Sequence, residues 1–137
     1  MPSTRAVNRL LWTAQVLAAL IFLFAGSMKF IMSAAQMQQG PIVFPMWFLH
    51  FIGVCECLGA LGLILPAVTR IRPSLAPLAA AGLTIIMIGA TTVTVMSMSV
   101  AAAIFPAVVG LITAYIAYGR TRLVPIQAGS RRGVSAA

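Results

Sequence analysis

An all-α integral membrane protein, a four-helix bundle with short loops and both termini cytoplasmic, is the fold this chain predicts. Three observations lead there. Hydrophobic residues make up 61% of the 137 and charged residues only 7%, too few to cover a soluble domain. The apolar residues fall into four runs, each long enough to cross a hydrocarbon core about 30 Å thick. Of the nine basic residues, all but Lys29 lie on one side of the membrane once four crossings are drawn.

The first run covers residues 10–30 and the second residues 46–65, expected to stop at Pro66. The third covers residues 75–95, where Pro73 and Pro77 suit a first turn. Its β-branched stretch, residues 91–95, argues weakly against a helix, but lipid leaves no other way to pair the backbone. The fourth covers residues 100–118, with Pro106 expected to kink it near its start. Few residues separate the last two runs, so they form a tight helical hairpin. Residues 1–120 thus make one domain, and residues 121–137 are read as a basic, disordered tail.

Arg5 and Arg9 precede the first run, Arg70 and Arg72 join the second to the third, and Arg120, Arg122, Arg131 and Arg132 follow the fourth. The positive-inside rule then places both termini and the middle loop in the cytoplasm, with the chain in the plasma (inner) membrane. The net charge of +8 is accounted for by orientation and anionic lipid, so nucleic acid is not an expected partner. Arg5 and Arg9 before an apolar run, with Ser33, Ala34 and Ala35 behind it, also fit a cleaved leader. The run exceeds the about 7–15 residues of such a segment, and a retained helix is expected. Trp12, Trp47, Tyr115 and Tyr118 fit aromatic belts at the two interfaces.

Glu56 is the single acidic residue, and it lies mid-span, where a carboxylate costs about 2.5–3.5 kcal/mol to insert. Its neighbours at helical spacing, Ile52, Gly53, Gly59 and Ala60, form a mostly small stripe that lets another helix approach, so the carboxylate points into the bundle. Two readings stand: a hydrogen bond that ties helices together, or a protonatable site for ligand or proton coupling. Lys29 is the natural partner to consider. With Leu20 and Glu56 taken as helix centres, Lys29 stands about 13 Å away along the membrane normal. On that geometry it snorkels to the outer head groups. His50 lies above Cys57 rather than Glu56 and reads as an interfacial polar group. Gly53, Gly59, Thr84, Thr91 and Thr113 are candidates to line a cavity around Glu56, although the threonine hydroxyls have the alternative of bonding back to their own helices. One His and one acid do not make a protein-ligated metal site. Cys55 and Cys57 diverge around their helix and cannot pair.

Two segments carry a resemblance. FLFAGSMKF, Phe22 to Phe30, matches an Ala-Gly-x-x-Lys signature at the end of a first helix. FPMWFLHFIGVCECLGALGLILPAVTRI, Phe44 to Ile71, matches Ile-Gly-x-x-Glu-x-Leu-Gly-Ala-Leu-Gly-Leu followed by Pro and a basic loop. With the ending Ala117-Tyr118-Gly119-Arg120, the chain over residues 10–120 resembles the DoxX-like family of small four-helix membrane proteins. The resemblance implies a compact bundle with cytoplasmic termini and adds weight to Lys29 and Glu56 as its two charged motif positions. It also implies association with membrane oxidoreductase complexes, including thiosulfate:quinone oxidation, with redox-enzyme subunits as partners and a quinone as cofactor.

No cofactor motif is present, so catalysis by this chain alone is not expected, and an accessory subunit of a quinone-linked complex is the preferred function. A proton-coupled transporter built as a homo-oligomer is the alternative. Small multidrug resistance transporters also have four spans and one buried acid, but theirs lies in the first helix. A structural protein in which Glu56 only ties helices together is the third reading.

Overall fold

The computed structural model describes residues 3–38 and 40–129. Four long helices, α1 (Thr4–Ile31), α3 (Met46–Thr69), α4 (Leu75–Ser97) and α5 (Val100–Tyr118), are joined by a one-turn helix α2 (Ala34–Met37) and short loops. There is no strand among the described residues. Consecutive long helices pack side by side and α5 returns to α1, which closes an up-down-up-down bundle. All four are long and apolar enough to cross a membrane.

Each boundary has a local cause. α1 starts six residues earlier than the apolar run, because Ser3 accepts a hydrogen bond from the Ala6 amide at 3.2 Å and caps a polar but helix-compatible stretch. Ser33 caps α2 together with Gln36, whose side chain accepts from the Ser33 amide at 2.9 Å. The Ser-x-x-Gln spacing is the signal for this capping box in the sequence.

Pro66 does not stop α3, contrary to expectation; the helix runs on to Thr69 and ends where Arg70 turns left-handed at φ 56°. The Arg70 amide still donates to the Pro66 carbonyl at 3.0 Å, so only the proline's own amide is missing from the ladder. The β-branched end of α4 is helical throughout. Thr91, Thr92, Thr94 and Ser97 each donate to the carbonyl four residues back, at 2.7–2.9 Å.

After Tyr118 the chain continues as a π-helical turn, Gly119–Leu123, that carries the first residues expected in a disordered tail. Val124 and Gly129 are tied by backbone bonds to Gly119 and Arg70. The remainder of the expected tail, residues 130–137, lies outside the described residues.

The core is apolar and rich in alanine. Ala18, Ala19, Phe22, Ala60, Leu63, Ala80, Leu83 and Ile116 form its centre, and the small side chains let the helices close around Phe22 and the leucines. Large apolar residues such as Leu20, Phe24, Leu58 and Leu111 face outward, as lipid contact requires.

Candidate functional site

The site begins where α1 and α3 touch most closely. A Cβ on Gly26 would lie 2.8 Å from the Gly53 carbonyl oxygen and 2.6 Å from Cys57 Sγ, so only glycine allows this approach. Lys29, one turn further along α1, then has its Cβ against Gly53. That register puts Lys29 only about one turn, roughly 5–6 Å, from the level of Glu56. A lysine side chain covers this distance. Lys29 Nζ donates to Glu56 Oε2 at 2.7 Å, with Glu56 3% exposed and Lys29 23% exposed.

The expectation that Lys29 snorkels away is therefore corrected. Centre-to-centre alignment misplaced the helices by about 7 Å, because the glycine contact, not the midpoints of the apolar runs, sets their register. We expect Gly26→Val to destabilise the bundle by about 1–3 kcal/mol and to part Lys29 from Glu56, since the obstacle is backbone. Unfolding in micelles measures this; an unchanged midpoint would mean that the helices meet elsewhere.

Glu56 and Lys29 lie on the wall of a cavity of about 610 Å³ between α3, α4 and the segment that links α1 to α3. Leu49, Ile52, Ile85, Ile86, Gly89 and Val93 make most of its wall apolar, and Gln36, Gln38, Thr94 and Ser97 add polar groups. Gln38 holds the linking segment in place: its Oε1 accepts from the Phe44 amide at 2.5 Å. Lys29 has two further N–H donors and Glu56 a second oxygen, so a guest can be offered a donor and an acceptor side by side.

The residues expected to line this cavity are elsewhere. Gly53 is consumed by the α1 contact and Gly59 by Leu83 of α4. Thr84 and Thr113 bond each other at 2.9 Å between α4 and α5, and Thr91 bonds back to Met87. None of the five is on the cavity wall. Small and hydroxyl residues on a helix face mark close packing as readily as a void, and here packing prevailed. His50 is also absent from the wall; it stacks on Phe30, with centroids 5.1 Å apart and planes at 15°.

A second polar cluster, not anticipated from the sequence, sits at the opposite end of the bundle. Gln15 is fully buried; its Nε2 donates to the Leu63 carbonyl at 2.6 Å and its Oε1 accepts from Arg120 Nε at 2.6 Å. Arg120, 3% exposed, also donates through Nη1 to Asn8 Oδ1 at 2.7 Å and lies 5.4 Å over the Trp12 ring. Trp12, expected only in an aromatic belt, thus carries a cation over its ring. The available signal was Gln15 itself, an amide inside an apolar span.

Against known proteins, the chain matches a family model described as the DoxX-like family over residues 13–116. Searches of curated proteins and of solved structures each gave no match.

Proposed function

The chain belongs to the DoxX-like family, and from that premise we propose that it is the membrane subunit of a redox complex and holds a quinone in the cavity beside Glu56. The observation that carries this reading is an ammonium–carboxylate pair set into the wall of a mostly apolar cavity of about 610 Å³. This is the form of a site for a lipophilic guest with few polar atoms. A quinone carbonyl accepts from a free N–H of Lys29, and its tail lies along Ile52, Ile85 and Ile86. A partner subunit supplies the electrons. The arginine-bearing end faces the cytoplasm of the plasma membrane, which puts the cavity in the outer half.

Proton-coupled transport, the second reading, needs Glu56 to be reached from both ends. On the side towards the termini, Phe22, Ala60, Leu63 and Leu83 are packed and buried, which favours binding over passage through a single chain.

The test is titration of the purified protein with a short-tailed ubiquinone. Glu56→Gln and Ile86→Trp are expected to weaken binding by about tenfold or more, the loss of one good contact. His50→Ala, off the cavity, should leave it unchanged. Equal affinity in all four proteins, or none in the wild type, refutes the reading.

A further inference from the structure

We propose that the cluster around Arg120 is a binding site for a phosphate group, at the end of the bundle opposite Glu56. A cavity of about 300 Å³ lies there, with Arg5, Asn8, Trp12, Arg70 and Arg120 on its wall. Arg120 is buried, and its Nη2 has no hydrogen-bond partner among the described residues. Its Nε and Nη1 are held by Gln15 and Asn8, so the guanidinium is fixed with one donor group unused. A buried unpaired donor on a cation is costly, and an anion removes that cost.

The chain offers no side-chain carboxylate for the purpose. Its single acidic residue is Glu56, already paired with Lys29 at the far end. Three arginines therefore share one cavity without a counter-charge among the described residues. Arg5 and Arg70 are exposed, while Arg120 is buried and held by Gln15 and Asn8. Donors converging from α1, from the left-handed residue that ends α3 and from the turn after α5 suit a tetrahedral anion, with oxygens in several directions, better than a flat carboxylate.

The cavity's outer wall is the segment 124–127. The segment is held by Arg120 Nη1 on the Val124 carbonyl at 3.3 Å and by the backbone bonds of Val124 and Gly129, and a guest reaches Nη2 only by displacing what covers it. The cavity sits at the ends of the apolar helices, the level at which phospholipid head groups lie. The same chemistry would also take free inorganic phosphate.

The experiment uses the full chain in a neutral detergent. Native mass spectrometry and thermal unfolding are followed with short-chain phosphatidylglycerol, phosphatidylcholine of equal chain length, and inorganic phosphate. Phosphatidylglycerol is expected to bind and to raise the midpoint. Arg5→Gln/Arg70→Gln, which leaves the buried network intact, should weaken it by about tenfold with no change in the ligand-free midpoint, the loss of charge-assisted bonds. Arg120→Gln should abolish it, and binding should weaken steeply with salt.

Phosphatidylglycerol binding without an effect of phosphate identifies a lipid site. An equal effect of phosphate at equal concentration identifies a free-anion site. Binding of phosphatidylcholine as strong as that of phosphatidylglycerol, or undiminished binding in the Arg5→Gln/Arg70→Gln protein, overturns the proposal.

Discussion

Lys29→Met is expected to destabilise the bundle by about 3–5 kcal/mol, the cost of leaving one member of a buried pair without its counter-charge. The two partners are not equivalent. Glu56 is 3% exposed and has nowhere to go, whereas Lys29 is 23% exposed and lies in the last turn of α1. Glu56→Gln should therefore cost less, because the amide oxygen keeps an acceptor for Lys29 and the ammonium is able to extend towards the head groups. Lys29→Met/Glu56→Gln should recover much of the Lys29→Met loss, since no charge is then stranded. Unfolding by a denaturing detergent, measured for all four proteins, gives the coupling directly. If the single losses simply add in the double variant, the pair contributes nothing as a pair.

Gln15→Leu is expected to cost as much, about 3–5 kcal/mol, for a different reason. The side chains are close in size, so the loss is electrostatic rather than steric. Gln15 is the acceptor for Arg120 Nε, and Nη2 of the same guanidinium already has no partner among the described residues. Leucine at this position would strand a second donor of a buried cation. Adding Arg120→Met to Gln15→Leu should restore much of the stability, because an apolar pair strands no cation and takes a partner only from the Asn8 amide and the Leu63 and Val124 carbonyls. Trp12 emission, read in a Trp47→Phe background, reports the cation above its ring. A Gln15→Leu protein of wild-type stability and unchanged emission would show that the network is dispensable.

Much of the architecture was open to a reader of the sequence because it follows from composition and local pattern. Four apolar runs and a proline in the first turn of α4 bounded the helices to within about six positions. The departures were local too. At Pro66 the helix lost one amide yet kept its next bond, from Arg70 to Pro66. Around Ser3 a polar stretch stayed helical beyond the apolar run.

Glu56 and Lys29 could be singled out by residue type, since charge inside an apolar span is expensive wherever the span packs. Their contact could not. Along a membrane helix one apolar residue substitutes for another, so hydropathy carries no information about how far two antiparallel helices slide past each other. That offset was decided in three dimensions, by the one place where Gly26 and Gly53 let two backbones meet. The same is true of Arg120, which in sequence is one more basic residue after the last span. Only the return of α5 to α1 buries it against Gln15, beside a cavity whose wall carries no acid.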